Sequence, residues 1–247
     1  MLSEIIIIFL CLAGGGLVKG ALGMGLPLIA VPGLAAFLGV PYALAVLTVP
    51  ILVTNTWQMW RFRDHRHGLA FLPGLTASAL VGIAIGTFML THLPAEMLSL
   101  GLAIVIAVYI ALRVFQPQLQ LSMEHARPLA PLIGLVAGAL QGATGISAPV
   151  SVTYISAMRL ARPAFVFSVS TLFTGFVLAQ IPSLALAGVL TGERALFSAC
   201  ALLPVFLGMR LGSWLGHRLD ARRFDQVILV LLALIAAKLV FDSGILG

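Results

Sequence analysis

The chain of 247 residues is 61% hydrophobic and only 9% charged, and its mean hydropathy is +1.13. This balance excludes an ordinary soluble globular protein and predicts an integral membrane protein without a separate soluble domain. The net charge of +6 would suit a nucleic acid partner. However, the basic residues lie in short loops between apolar segments, where they set the orientation in the membrane. No nucleic acid partner is therefore expected.

Apolar segments follow one another along the chain, and most have about the length needed to cross a bilayer as a helix. They cover residues 5–20, 22–38, 42–60, 69–90, 96–115, 131–140, 149–158, 164–180, 195–215 and 224–241. The only long polar connector lies between Phe115 and Pro131. It divides the chain almost in half.

The first apolar run contains GLVKGALGMGLPLIAVP at residues 16–32, which is rich in helix-weakening glycine. We predict a helix break at about residues 22–26 and a second one in LQGATGISA at 140–148. Broken helices are tolerated in a membrane only where protein or water satisfies the freed backbone groups. Pro27 and Pro149 suit the first turn of the helix that restarts after each break. These two helix N-termini would suit an anion, although tight helix packing is an alternative role for the glycines.

The two halves of the chain repeat each other. GLVKGAL at 16–22 returns as GLVAGAL at 134–140. Further pairs keep a nearly constant spacing: Pro27 and Pro149, Pro41 and Pro163, Gln58 and Gln180, Gly82 and Gly208, Gly86 and Gly212. We therefore predict one transmembrane transporter domain over residues 1–247, with internal repeats at 4–115 and 131–242 and a linker at 116–130.

The arginines determine the predicted orientation. Residues 5–38 could form a single broken crossing, a re-entrant hairpin or two full crossings. If the segment returns to its starting side, one face of the membrane receives almost all the arginines and the other keeps Arg194. The first group comprises Arg61, Arg63, Arg66, Arg113, Arg127, Arg159, Arg162, Arg218, Arg222 and Arg223. This face is then cytoplasmic, and both termini are periplasmic.

With both termini on one side, each half crosses an odd number of times and the second half is inverted. The predicted fold is an all-α polytopic membrane protein of two inverted repeats, each with a broken or re-entrant helical hairpin plus three transmembrane helices. Inverted repeats with interrupted helices are typical of secondary transporters, whose substrate site lies where the halves meet.

Lys19, beside the first break, and Arg210, inside 195–215, are ionisable residues within apolar segments, where such residues are costly and usually functional. Their counterparts in the other half are Ala137 and Ala84, which favours a site for one negatively charged substrate. Snorkelling of both side chains to the interface is the alternative.

Polar residues at the breaks and on equivalent helices complete the candidate site. Gln58 and Gln180 suit either substrate contact or a helix-to-helix hydrogen bond, and Thr54, Asn55 and Thr174 are neighbouring candidates. The predicted substrate-binding residues are Lys19, Gly23, Gly25, Gln58, Gln141, Thr144, Gly145, Ser147, Gln180 and Arg210. No zinc-type spacing, Ser/His/Asp set or Walker-type loop is present, so no catalytic residue, metal or cofactor is expected.

The segment GALGMGLPLIAVP, its second copy GALQGATGISAPVSV and the arginines after the helices resemble the TauE/SafE family of sulfite and organosulfonate exporters. The resemblance covers essentially the whole chain. It implies a multi-pass permease of the bacterial inner membrane for small anions such as sulfite, sulfoacetate or thiosulfate. Members often carry three consecutive glycines at the break, where this chain has Gly23, Met24 and Gly25 in the first half.

The predicted function is export of a small sulfur-containing anion by alternating access. The expected partners are this anion and membrane lipids, with a coupling proton or cation and a homodimer as further candidates. Two alternatives stay open: a facilitator or importer of another small organic acid, and a membrane accessory subunit that transports nothing.

Overall fold

The computed structural model describes residues 2–115, 119–216 and 221–242, and all regular secondary structure in these ranges is helical. The α-helices are α1 (Leu2–Leu22), α2 (Leu26–Leu38), α3 (Val40–Arg61), α4 (Leu72–His92), α5 (Ala95–Phe115), α6 (Met123–Thr144), α7 (Ala148–Ala157), α8 (Arg162–Leu186), α9 (Gly192–Cys200), α10 (Leu202–Gly216) and α11 (Ala221–Asp242). A short 3-10 turn at Arg63–His65 follows α3.

Five stretches of helix are long and apolar enough to cross a membrane: α3, α4, α5, α8 and the combined length of α9 and α10. Shorter apolar helical stretches cover Ile6–Leu22, Leu26–Leu38 and Gln226–Phe241. Large apolar side chains such as Phe88, Leu207 and Leu234 point outward, as expected for a surface in contact with lipid. The prediction of a helical multi-pass membrane protein is therefore confirmed.

The first helical hairpin is formed by α1 and α2, which pack antiparallel. A Cβ added at Gly15 would lie 2.9 Å from the Cβ of Ala30, and one added at Gly33 would lie 2.7 Å from the Sγ of Cys11. The turn between the helices contains Gly23 and Gly25, whose φ angles of 81° and 98° lie in the region that favours glycine. The chain therefore reverses direction at the first predicted break.

The second hairpin is formed by α6 and α7, with its turn at residues 145–147. The backbone N–H of Leu121, just before α6, donates a 2.9 Å hydrogen bond to the carbonyl of Ala157 at the end of α7. The start and the end of the hairpin therefore lie side by side. The helix α6 starts at Met123, inside the stretch predicted as a linker, because Ser122 caps it by accepting from the N–H of His125. Residues 116–118 of that stretch lie outside the described ranges.

Glycines allow two pairs of helices to approach very closely: α1 with α10, and α4 with α6. Without side chains at these positions the backbones of both helices come into direct contact, as in small-residue packing between membrane helices. The glycines concerned are Gly16 and Gly20 against α10, Gly208 and Gly212 against α1, Gly82 and Gly86 against α6, and Gly134 and Gly138 against α4. Each pair joins one hairpin to a helix from the other half of the chain.

A serine from α9 compensates for the proline inside α3. Pro50 has no N–H, so the carbonyl of Val46 loses its normal helical donor. The Ser198 hydroxyl donates to this carbonyl at 2.8 Å and accepts from the Val49 N–H at 2.9 Å. Ser198 is fully buried, so α3 keeps its backbone groups satisfied in an apolar environment.

Arginines gather at the end of the bundle where α3 finishes. Arg194 lies at the other end, where it donates to the carbonyl of Val189 and stacks over the ring of Tyr42 in the first turn of α3. Arg61, Arg162 and Arg210 line one cavity, and Arg113 and Arg159 line another. Of the predicted basic face, Arg218 and the side chains of Arg222 and Arg223 lie outside the described residues.

Candidate functional site

A large cavity, here called the Lys19 cavity, has a volume of about 890 Å³ and lies between α1, α3, α8 and α10. Four cationic side chains line it: Lys19, Arg61, Arg162 and Arg210. Among the described residues of its lining there is no Asp or Glu. A cavity with several cations and no carboxylate attracts anions, because its walls concentrate the positive potential.

Lys19 is the buried cation of this cavity, with an exposed fraction of 2%. Its Nζ donates a 2.8 Å hydrogen bond to the Oδ1 of Asn55 on α3. The Nδ2 of Asn55 donates in turn to the carbonyl of Ile51 at 2.8 Å, which fixes the orientation of the amide. Lys19 also lies in the last turn of α1, where the helix dipole favours a positive charge. Arg61, Arg162 and Arg210 are exposed.

Gln58 on α3 links the first helix break to α8, which belongs to the second half of the chain. Its Nε2 donates to the carbonyl of Gly23 at 2.9 Å, and its Oε1 accepts from the hydroxyl of Ser170 on α8 at 3.2 Å. Gly23 and Gln58 both line the Lys19 cavity. A backbone carbonyl freed at the break is thus satisfied by a side chain, as a non-helical segment within a membrane requires.

A much smaller cavity, here called the hairpin-tip pocket, lies between the two breaks. Its volume is about 30 Å³, and its lining includes Gly25 and Pro27 from the first hairpin together with Gly145, Ser147 and Ala148 from the second. This space suits one water molecule. The N-termini of α2 and α7 therefore approach each other, with little room between them.

The remaining predicted residues form hydrogen bonds around the second break. Ser147 donates to the Oε1 of Gln141 at 3.1 Å, and the Nε2 of Gln180 donates to the backbone carbonyl of Gln141 at 3.4 Å. Thr144 donates to the carbonyl of Leu140 at 2.8 Å. Gln141, Thr144 and Gln180 are buried and line neither the Lys19 cavity nor the hairpin-tip pocket.

The structure thus divides the ten predicted site residues into three groups. Lys19, Gly23, Gln58 and Arg210 share the large cavity, whereas Gly25, Gly145 and Ser147 line the hairpin-tip pocket. Gln141, Thr144 and Gln180 support the second break from outside both. The predicted cations Lys19 and Arg210 therefore line a different space from the N-termini of α2 and α7.

A third cavity contains residues that the sequence did not single out as ligands. It has a volume of about 320 Å³, is lined by Arg113 and Arg159 among others, and is here called the Arg113 cavity. It shares Met24, Tyr109 and Val152 with the hairpin-tip pocket. The sequence analysis used both arginines only for orientation, because no local pattern shows that α5 and the end of α7 meet.

Helices that span a membrane, two interrupted hairpins and cation-lined cavities define a polytopic membrane protein suited to anions. The family profile described as Sulfite exporter TauE/SafE matches residues 7–239. The chain belongs to the TauE/SafE family, as its glycine-rich motifs predict, and membership implies a membrane transporter of sulfur anions. No curated protein and no solved structure matched the chain.

Proposed function

We propose that this protein is a secondary transporter that exports a small sulfur anion, such as sulfite, sulfoacetate or a related organosulfonate, across the bacterial inner membrane. The observation that carries the proposal is the Lys19 cavity, in which a buried lysine and three arginines line a space of about 890 Å³ and no described lining residue is a carboxylate. Family membership supports the sulfur chemistry and the export direction.

Charge compensation explains the role of Lys19 in this proposal. A buried ammonium group is costly unless it is paired, and the partner found here is the neutral amide oxygen of Asn55. An oxyanion in the cavity would supply the missing negative charge. Arg210 lines the same cavity from α10 and adds a second cation. Gln58 and the break at Gly23 would contribute hydrogen-bonding groups of the site.

Alternating access of two inverted repeats is the proposed mechanism. The equivalent glycine contacts of α1 with α10 and α4 with α6 support the repeat, since each hairpin packs on the opposite half. The hairpin-tip pocket supports alternation rather than an open channel, because about 30 Å³ leaves little room for an anion to pass. The two hairpins must separate for transport. The arginine-rich end is assigned to the cytoplasm, which places both termini in the periplasm.

Flux into proteoliposomes tests the proposal. Purified protein is reconstituted, and uptake of sulfite, sulfoacetate and acetate is compared with and without a pH gradient. We expect saturable flux of the sulfur anions, and a response to the gradient would identify the proton as the coupling ion. Absence of flux for every anion from folded protein would contradict the proposal.

A double variant tests the assigned site. Lys19→Met with Arg210→Gln removes two cations from the Lys19 cavity, and we expect it to abolish flux at unchanged protein level. Arg127→Gln is the matched control, because Arg127 is an exposed arginine of the same end that lines none of the three cavities. Equal flux in the double variant and the control would exclude the Lys19 cavity as the substrate site.

A further inference from the structure

We propose that the Arg113 cavity is a second anion-binding site, which holds a small oxyanion beside the hairpin-tip pocket. The inference rests on the proposed transport of anions, but it assigns a site separate from the Lys19 cavity. The two cavities have no lining residue in common, and they meet the first break on different residues, Gly23 in one case and Met24 in the other.

The lining of the Arg113 cavity suits an oxyanion. Arg113 from α5 and Arg159 from the turn after α7 provide guanidinium groups, and Thr153 and Ser156 provide hydroxyls. The described part of this lining contains no Asp or Glu either. Guanidinium groups bind the oxygens of planar and tetrahedral anions through strong charge-assisted hydrogen bonds, and hydroxyls add further donors. The volume of about 320 Å³ accommodates a small organosulfonate with water around it.

Arg159 is an exposed residue whose guanidinium has a partner beside the cavity. Its backbone has a φ of 48°, the only positive φ of a non-glycine residue in the described ranges. Arg159 follows Met158, the C-cap of α7, at a position where a left-handed residue commonly ends a helix. With the amide oxygen of Gln120 turned toward Arg159, it accepts from both η nitrogens at 3.2 and 2.7 Å. Gln120 thereby fixes the guanidinium beside the cavity.

The Arg113 cavity adjoins the hairpin-tip pocket directly. Met24, Tyr109 and Val152 line both spaces. Met24 stands between the two left-handed glycines of the first break, so its side chain lies at the boundary between the two spaces. The Lys19 cavity shares no lining residue with the hairpin-tip pocket. An anion in the Arg113 cavity would therefore lie nearer to the N-termini of α2 and α7 than an anion in the Lys19 cavity.

Cysteine labelling in neutral detergent tests this site without requiring transport. The two native cysteines, Cys11 and Cys200, are replaced by Ala, and Leu112→Cys places a thiol in the lining of the cavity. Its modification rate is measured with an anionic sulfonatoethyl and a cationic trimethylammonioethyl methanethiosulfonate reagent. We expect the anionic reagent to react about tenfold faster or more. Sulfoacetate should slow the reaction in a saturable manner.

The matched variants connect this preference to the two arginines. Adding Arg113→Gln and Arg159→Gln should remove both the preference and the protection by sulfoacetate. Leu93→Cys, at the opposite end of the bundle, is the control position, and its ratio of rates should not respond to the arginine substitutions. The same ratio at positions 112 and 93, or a lack of protection by sulfoacetate, would overturn the proposal.

An anionic lipid headgroup offers the same oxyanion chemistry as a free organosulfonate, so the labelling is repeated with phosphatidylglycerol in the micelles. Protection by sulfoacetate in pure neutral detergent supports the site for a soluble anion. Protection by the lipid alone would overturn it. These results stay interpretable if proteoliposomes show no flux, so failure of this inference is distinguishable from failure of the proposed function.

Discussion

Lys19 and Asn55 form a buried hydrogen bond of 2.8 Å between Nζ and Oδ1, which joins α1 to α3 beside the first helix break. The Asn55 amide is itself anchored on the carbonyl of Ile51, so its oxygen is a fixed acceptor. The lysine therefore has a defined position at the wall of the cavity. A defined position matters for a ligand, because little side-chain freedom remains to be lost when an anion binds.

Asn55→Leu should destabilise the protein through Lys19. It leaves a buried amine without its acceptor, which costs about 1–3 kcal/mol. The double variant Lys19→Met with Asn55→Leu removes both polar groups and should recover much of this loss. Thermal unfolding in detergent micelles of the wild type, both single variants and the double variant measures the coupling. Additive effects of the two substitutions would show that the pair does not interact in solution.

Gln58 and Gln180 should differ in function although the predicted repeat places them at equivalent positions. Gln58 lines the Lys19 cavity and holds the carbonyl of Gly23, whereas Gln180 makes a longer contact away from the cavities. We expect Gln58→Leu to reduce flux roughly tenfold, the equivalent of one lost hydrogen bond. Gln180→Leu should reduce it much less.

Concentration-dependent flux in proteoliposomes provides the comparison, with the amount of folded protein checked by size-exclusion chromatography. If both glutamine variants lost the same amount of flux, both side chains would stabilise the helix breaks and Gln58 would have no special contact with substrate.

Local sequence was sufficient to predict the helix breaks and some of the residues that line the cavities of the candidate site. Glycine adopts a positive φ without steric cost, so the turns that contain Gly23 and Gly145 can be predicted from the local sequence. Lys19 was also identifiable, because a charge in an apolar segment is unusual by itself. The contact of Ser170 with Gln58 was not identifiable, since it joins residues 112 positions apart. Four cavity-lining arginines were missed for the same reason: Arg61, Arg162, Arg113 and Arg159. An arginine at a helix end indicates the orientation of the helix, but whether it lines a cavity depends on tertiary packing.

Gly212→Ala should prevent the close approach of α1 and α10. A Cβ at this position would collide with the backbone carbonyl of Leu17, which cannot move without shifting α1. We expect a large loss of folded protein and of flux. Gly101→Ala on α5 is the matched control, because a Cβ there meets nothing within 4 Å. This control should be neutral or slightly stabilising, since alanine favours the helix by up to about 1 kcal/mol relative to glycine.

Both variants are compared by yield of monodisperse protein and by thermal unfolding in the same detergent. If Gly212→Ala behaved like Gly101→Ala, the α1–α10 contact would have to be looser than the structure shows.

Ser198→Ala should destabilise α3 even though the substitution is made on α9. It removes the hydroxyl that satisfies the carbonyl of Val46 and the N–H of Val49, and an unsatisfied buried group costs about 1–3 kcal/mol. Pro50→Ala supplies the missing backbone N–H, so adding it to Ser198→Ala should restore stability. The measurement is the thermal unfolding midpoint of the single and double variants.

The order of these midpoints separates two roles for Ser198. If it satisfies the backbone freed by Pro50, the double variant unfolds at a higher temperature than Ser198→Ala alone, because α3 regains a continuous helical hydrogen-bond pattern. If Ser198 only fills space between α9 and α3, Pro50→Ala brings no recovery, since the cavity left by the lost hydroxyl is the same in both variants. Rescue by a change on a different helix would thus show that the proline in α3 and the serine in α9 act as one unit.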